Sequence, residues 1–315
     1  MKKLILVLLV GLMGMHMRAA ETDSLLVMFW NLENFFDWID AGTGDSDKEF
    51  SSYGSRGWSK KKFYTKCDAI TKSILWLADE YGQLPDIIGL AEIENRGVLT
   101  KLLSSTLLRK IDYGIIHRDS KDRRGIDVAL LYRKSVLNPE SITFISPDSL
   151  ETRDILHANM TRSDGSQIDF IVNHHPSQYG GAKESVHKRV KVMNELRNLC
   201  DSLIHYHDRQ ILVMGDFNDT PDSEQCSIME TILINEGTRL HKDGKGTIRY
   251  KGRWELIDFF MKTPGLPTSG MEIIEVPFLM TYDRSYPGYK PLRTYSGPRY
   301  LGGVSDHCPI VIEIE

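Results

Sequence analysis

The stretch QILVMGDFNDTP, residues 210–221, sets the reading of the whole chain. Ile211, Leu212, Val213 and Met214 form a short apolar run of the kind that makes a strand buried on both faces. Gly215 ends it, and Asp216, Asn218 and Asp219 then crowd three polar side chains into four positions. Side chains on an extended chain alternate with period 2, so Asp216 and Asn218 are expected to point the same way, with Phe217 turned into the core. Alone, such a tripeptide reads as an Asp-Asn turn closing a strand. It gains weight because other strands of the chain end in the same way.

Working outward, Leu25 to Trp30 reads as a first strand ending in Asn31-Leu32-Glu33-Asn34, and residues 40–59 as a Gly/Ser/Asp-rich loop. Phe63, Ile70, Ile74, Leu77, Ala78 and Tyr81 fall at helical spacing. Ile87 to Leu90 is a buried strand ending in Glu92, Glu94 and Asn95, followed by a helix with Val98, Leu99, Leu102 and Leu103 facing inward. Ile126 to Tyr132 is a strand with Asp127 near its start. Ile155 to Met160 and Gln167 to Val172 form a hairpin around Asp164-Gly165, whose second arm ends in Asn173-His174-His175-Pro176. A long helix is predicted from Ala182 to His207 ahead of the 210–221 stretch. Trp254 to Met261 reads as a strand carrying Asp258, and Pro309 to Ile314 as a last strand after Ser305-Asp306-His307.

Polar groups thus stand at six strand ends: Asn31, Glu92, His174, Asp216 with Asn218, Asp258, and Asp306 with His307. One acid at a strand end is ordinarily solvated. Six such ends on one chain imply convergence on one rim, where α/β folds build their sites. The set is rich in carboxylate and amide oxygen and has no thiolate cluster, so it suits a hard divalent cation such as Mg²⁺ or Mn²⁺ better than structural zinc. Two imidazoles and no recognisable Ser or Cys nucleophile point to metal-assisted hydrolysis by water.

The chain has 315 residues, 41% hydrophobic and 26% charged, and fits a single large α/β domain. Lys2 and Lys3, the uncharged apolar run Leu4 to Met15, and Ala19-Ala20 read as a secretory signal peptide over residues 1–20, leaving one domain over 21–315. Removing Lys2, Lys3 and Arg18 takes the formal charge from −4 to −7. An exported acidic protein is a poor clamp for duplex DNA, although a local basic rim around an anionic substrate is compatible with it. Cys67, Cys200, Cys226 and Cys308 lack metal-ligand spacing and read as structural. The expectation is a periplasmic or extracellular monomer with no membrane span after the signal.

The motifs WNLEN at 30–34, AEIEN at 91–95, VNHHPS at 172–177, GDFND at 215–219, LID at 256–258 and SDHCPI at 305–310 resemble, in order, those of the endonuclease/exonuclease/phosphatase superfamily of deoxyribonuclease-I-like hydrolases. The resemblance, closest to an exported bacterial branch, implies a four-layer α/β sandwich of two packed mixed sheets flanked by helices, and phosphoester cleavage by activated water. It implies metal ligation by Glu92 with Asn31 and Asp306 close by, the ion being Mg²⁺, Mn²⁺ or Ca²⁺. Asp258 would orient His307, Asp216 and Asn218 would position water and phosphoryl oxygens, and His174 would contact the phosphate or leaving group. Asp216 and His307 both remain as the base. Ala91 replaces the glutamine that often precedes the metal glutamate, so that amide's role is missing or supplied by Glu94 or Asn95, and His175 stands beside His174 as a substitute. The nuclease version calls for a basic, aromatic-lined groove, for which Lys60 to Lys62, Arg123-Arg124, Lys188-Arg189 and Arg249 to Arg253 are the pieces. A phosphatase or phosphodiesterase of sugar, inositol or lipid head-group phosphates needs only a pocket. A catalytically silent binding module is the reading from another class. Pro277 to Met280 is a candidate lipid-facing tongue, or core.

Overall fold

The computed structural model describes residues 24–40, 42, 44–178 and 181–315; the expected signal segment lies outside them. Nine labelled strands follow in chain order: β1 (Leu25–Phe35), β2 (Ile87–Ile93), β3 (Tyr113–His117), β4 (Asp127–Arg133), β5 (Leu137–Ile145), β6 (Ile155–Arg162), β7 (Gln167–His174), β8 (Gln210–Asp216) and β9 (Ile234–Asn235). The strands Asp258–Lys262, Glu272–Ile273 and Ile310–Ile314 complete two six-stranded mixed sheets. One sheet runs 272–273, 310–314, β1, β2, β4, β3; the other runs β5, β6, β7, β8, 258–262, β9. Each holds one parallel pair, β1 with β2 and β7 with β8, and in both cases a helix carries the chain back, as a parallel crossover requires.

Alternation along β1 explains the layering. Leu25, Val27 and Phe29 enter a core shared with Leu212, Met214 and Phe170 of the other sheet, while Leu26, Met28 and Trp30 face Phe63, Ile70, Ile74 and Leu77 of the helix Lys60–Tyr81. The helix Ala182–His207 covers the second sheet through Val192, Met193, Leu196 and Cys200. Two glycines permit the close approaches. A Cβ at Gly89 of β2 would lie 2.4 Å from Met214 Sδ across the sandwich, and one at Gly215 of β8 would lie 2.3 Å from the Asn173 carbonyl oxygen of β7. Gly215 therefore seats the strand that delivers Asp216.

The apolar stretch expected as one strand, Trp254 to Met261, is divided. Arg253–Glu255 pairs with Ile248–Tyr250 in a separate hairpin, Leu256 and Ile257 bury as a connector, and only Asp258–Lys262 joins the sheet. Pro277–Leu279 is a 3₁₀ turn with Leu279 buried and Phe278 packed against Trp76, so it is not a membrane tongue. All four cysteines are free and buried. Among the described residues no helix is long and apolar enough to cross a membrane.

Candidate active site

The site lies where strand ends from both sheets meet. β1 and β2 are in register up to Asn31 opposite Ala91 and again at Phe35 opposite Ile93, so residues 32–34 bulge against Glu92 alone. Glu33, Asn34 and Glu92 all adopt positive φ (46°, 53° and 60°), a region L-residues enter at a cost. The bulge throws the Glu92 carboxylate towards the cleft, where its Oε2 accepts the Asn34 N–H at 2.7 Å and its Oε1 lies 3.6 Å from Arg124 Nη1. Arg124 also donates to Asn34 Oδ1 at 2.6 Å.

Asp216 is the point of convergence. Its Oδ2 accepts from Asn31 Nδ2 at 3.0 Å and lies 3.5 Å from His174 Nε2 and 4.0 Å from His307 Nε2. Burial, followed by repulsion from Asp258, raises its pKa to about 7 against the opposing pull of His307. Asp258 pairs opposite Asp216 across the two strands, and its Oδ2 receives His307 Nδ1 at 2.8 Å and Thr247 Oγ1 at 2.5 Å. Burial alone would lower the His307 pKa, but Asp258 and then Asp216 outweigh it and hold the imidazole well above its ordinary value. The backbone around His307 is fixed as well. Its N–H donates to Ser305 Oγ, its carbonyl accepts Trp30 Nε1, and Ser305 Oγ donates to the Asn31 carbonyl.

The two neighbouring imidazoles differ. His174 reaches Asp216, and burial with the nearby Arg153 and Arg124 cations keeps it neutral, far below its ordinary pKa. The His175 ring instead packs against Phe217 at 5.1 Å, and burial lowers its pKa to about 3. His174 is the one that faces the cleft. Arg153 anchors the pair, donating to both of their carbonyls and to Asp122.

Asn218 departs from the same-face expectation. The chain leaves the extended region at this residue (φ 51°), its N–H caps Asp216 Oδ1 at 2.9 Å, and its Nδ2 donates one proton to the His175 carbonyl at 3.0 Å. Phe217 is buried as expected, stacked on Phe259 at 4.1 Å. Neither Glu94 nor Asn95 supplies an amide in place of the missing glutamine: Glu94 accepts the Asp37 N–H, and Asn95 caps the helix Arg96–Ser105. Asp127 accepts the Ser120 N–H and lies 3.2 Å from His117 Nε2, off the convergent set.

Asp306 is half exposed and lies 3.1 Å from Arg293 Nη2, which also donates to Glu33 Oε1 at 2.7 Å. Burial and then Asp306 raise the Glu33 pKa to about 7. Behind it Lys66, its pKa lowered to about 8 by burial, donates to the Glu33 carbonyl and to Thr294 Oγ1. The sequence reading did not single out Thr247, Glu33, Lys66 or Arg293. Glu33 lies inside WNLEN and was available there; Lys66 stands on the periodic helix Lys60–Tyr81, where a lysine reads as solvent-facing, and Thr247 and Arg293 sit in segments with no strand or helix periodicity.

Asp216, Asp258 and His307 offer ligand atoms within 4.8 Å of one another. Asp258 Oδ2 is already committed to two donors, so this triangle is a hydrogen-bonded relay rather than a cage. The donors that remain for a cation are Glu92 Oε1, the second lone pair of Asn31 Oδ1 and the Asp306 carboxylate. All are oxygens, in a site where burial first and a neighbouring carboxylate second raise the acids Glu33 and Asp216 to about 7. That donor set fits a hard divalent ion.

No curated protein matches the chain by sequence. Solved structures share the fold at low identity. A mannosyl-6-phosphatase from Bacteroides thetaiotaomicron superposes with a TM-score of 0.60 at 14% identity, covering 92% of this chain and 99% of that one. Danio rerio TDP2 complexed with single-strand DNA product gives 0.56 at 15%, covering 93% and 100%. An endonuclease/exonuclease/phosphatase family protein from B. thetaiotaomicron gives 0.59 at 16%, covering 92% and 97%. The model of the endonuclease/exonuclease/phosphatase family matches residues 26–315, nearly the whole chain, and to that family the chain belongs.

Proposed function

We propose that the chain is an exported, divalent-metal-dependent phosphodiesterase of nuclease type that cleaves with an activated water. The observation that carries this reading is Asp216 Oδ2, one buried carboxylate oxygen with Asn31, His174 and His307 at 3.0, 3.5 and 4.0 Å. Asn31, Glu92 and Asp306 would hold the ion, Mg²⁺ or Mn²⁺ ahead of Ca²⁺, which when bound supplies charge to a phosphoryl oxygen and lowers the pKa of water. Asp216, with its pKa about 7, takes the proton from the attacking water. His307, held protonated beside Asp258, gives its Nε2 proton to the leaving oxygen as the P–O bond breaks and recovers one from Asp216 at 4.0 Å. His174, neutral, donates from Nε2 on the opposite wall. Asn218 holds the turn that aims Asp216 and keeps its Oδ1 and a second Nδ2 proton to position water or a phosphoryl oxygen.

A second reading has its own observation. A cavity of about 110 Å³ lined by Glu33, Asn34, Arg56, Arg293 and Tyr295 borders the bulge. It would admit the small head group of a phosphorylated sugar, the class named for the mannosyl-6-phosphatase that shares the fold.

Turnover of single-stranded DNA, bis-p-nitrophenyl phosphate and sugar phosphates, each with Mg²⁺, Mn²⁺, Ca²⁺ or excess chelator, tests both. Metal-dependent diester cleavage abolished by Glu92→Gln is expected. Full activity in chelator, or in Glu92→Gln, would overturn the proposal; cleavage of monoesters alone would favour the second reading.

A further inference from the structure

Two hairpins rise from the wall that carries His307. Ile248 bridges directly to His307, opening the hairpin Ile248–Tyr250 with Arg253–Glu255. Met280 and Pro291, at the root of the hairpin Met280–Asp283 with Gly288–Pro291, line a crevice together with His307 and Trp30. Lys251 and Gly252 turn the first hairpin with positive φ (46° and 83°), matching the twist of its arms. Arg249 binds the two hairpins together, donating to the carbonyls of Tyr286 and Pro287 at 2.9 and 3.0 Å. A Cβ at Gly288 would lie 2.7 Å from that guanidinium, so glycine is needed where they meet.

The outer surface of this pair is unlike the rest of the chain. Tyr250, Tyr282, Tyr286 and Tyr289 are 62%, 53%, 43% and 62% exposed, four of the ten large hydrophobic side chains that are exposed among the described residues. Tyr282 and Tyr289 face each other across the strands with ring centroids 5.5 Å apart. Lys251 lies 5.2 Å from the Tyr250 ring. The two hairpins carry five Lys or Arg against two acids, on a chain whose formal charge is −4. Lys290 is paired with Asp283, whereas exposed Arg253 and Arg284 have no ion pair among the described residues. Exposed rings cost hydration and uncompensated cations repel one another. Together they fit a ligand that brings flat faces and a line of negative charge.

Resting on the phosphodiesterase reading above, we propose that these two hairpins are a strand-binding platform: single-stranded nucleic acid stacks its bases on Tyr250, Tyr282 and Tyr289 while Arg253 and Arg284 meet its phosphates, guiding the strand to His307. Stacking on tyrosine is tolerant of sequence because every base has a π-face, and single strands leave those faces open where duplexes do not. The platform thus predicts preference for single strands with little base discrimination.

The test is fluorescence anisotropy of a labelled twelve-residue oligothymidylate with the full chain in excess chelator, so that binding is read without turnover. Tyr250→Ala and Tyr289→Ala should each weaken binding about five- to hundredfold, since stacking is worth roughly 1–3 kcal/mol per base. Tyr→Phe at either position should restore most of it. Arg253→Ala with Arg284→Ala should lower the slope of log affinity against log salt by about 1.4, near 0.7 for each phosphate contact on a single strand. Unaltered affinity in the Tyr→Ala variants, equal or tighter binding of a twelve-base-pair duplex, or salt-independent binding of a neutral oligosaccharide lost in the same variants would each overturn the platform. Hydrolysis of bis-p-nitrophenyl phosphate by the unaltered chain tests the underlying reading separately, because it reads cleavage of a diester and not binding of a strand.

Discussion

Replacing Asp258 by asparagine removes one charge from a group buried to 1% exposure and leaves its shape nearly intact. The carboxylate holds His307 Nδ1 at 2.8 Å, and a hydrogen bond to a charged group contributes about 1.5–3 kcal/mol. Its loss should lower the His307 pKa, leaving the upward pull of Asp216 at 4.0 Å and then of Asp306. A further cost follows from Asp258 Oδ1, which is buried without a partner. An amide that keeps its oxygen on Thr247 and His307 must put its NH₂ there with no acceptor, costing about 1–3 kcal/mol of stability. The sign is fixed by the direction of the shift. His307 is a base whose folded pKa is raised, so the pair stabilises the fold fully below the ordinary imidazole value and loses that contribution as pH rises through the raised one. Activity that needs the imidazolium falls over the same alkaline range. In kcat/KM profiles with bis-p-nitrophenyl phosphate, Asp258→Asn should move the alkaline limb to lower pH and lower the plateau roughly 10- to 100-fold, within the contribution of an acid–base group. His307→Ala should lose about 10²–10⁴-fold, with the double variant far from additive. An unmoved alkaline limb, or additive losses, would refute the pair; displacement of the acid limb instead would make His307 the base and free Asp216 of that role.

Three further outcomes follow from the same coordinates. Arg153→Met strands Asp122, whose side chain is 5% exposed, and should cost about 3–5 kcal/mol in denaturant unfolding; a loss under 1 kcal/mol would show that the pair adds little. Glu94 is an acid whose pKa burial raises to about 8, so the folded state holds a proton that the unfolded state has released between pH 4.5 and 8, and stability falls with rising pH across that window. Glu94→Gln should make that fall shallower in pH-dependent melts in chelator, leaving the part that Glu33 and Asp216 contribute below about pH 7, and an unchanged slope would contradict it. A saturating divalent ion at a hundred times its Kd should stabilise the native chain by about 2.7 kcal/mol. Glu92→Gln, which keeps an oxygen for the Asn34 N–H, should melt at the same temperature with and without metal; an equal rise would remove Glu92 from the ligand set.

The central strands were legible because they are runs of buried apolar residues bounded by polar clusters, and Ala182–His207 coincides in both bounds with the periodic stripe, whereas their arrangement as a sandwich was implied only by the motif resemblance. Edge strands were not. β5 is exposed along most of its length and carries Pro139, so it has neither alternation nor an apolar run, and β9 and Glu272–Ile273 are two residues each. The 254–261 run misled because Leu256 and Ile257 bury as a connector, which composition does not distinguish from a strand. At the site, acids and imidazoles at strand ends could be read directly. Thr247 and Arg293 could not, since they act through loops that only the folded chain brings beside Asp258 and Asp306.

What the sequence hides most completely is how the strand ends become a cleft. Seven non-glycine residues have positive φ among the described ones, and Glu33, Asn34, Glu92 and Asn218 are four of them. Each such conformation costs about 1–3 kcal/mol, least for asparagine. Hydrogen bonds made only in the bent form offset the cost: Asn34 N–H to Glu92, Thr294 N–H to Glu33, Asn218 N–H to Asp216. At Asn34 and Asn218 a carboxylate caps the backbone amide of the bend itself, and at Glu33 the bent residue's own carboxylate takes the Thr294 amide of a facing loop, so acids of the site also hold the bends. Strain and charge are therefore coupled. Neutralising Glu92 leaves an acceptor for Asn34 and should keep the bulge, whereas Glu92→Ala removes the acceptor and also puts alanine at φ 60°, where its Cβ gains nothing in return. The two substitutions should thus be equally inactive yet separate in stability by about 1–2 kcal/mol in metal-free denaturant unfolding, alanine lower. Equal stability would mean that the bulge is held by the register of β1 and β2 alone, and that the carboxylate there serves only the ion.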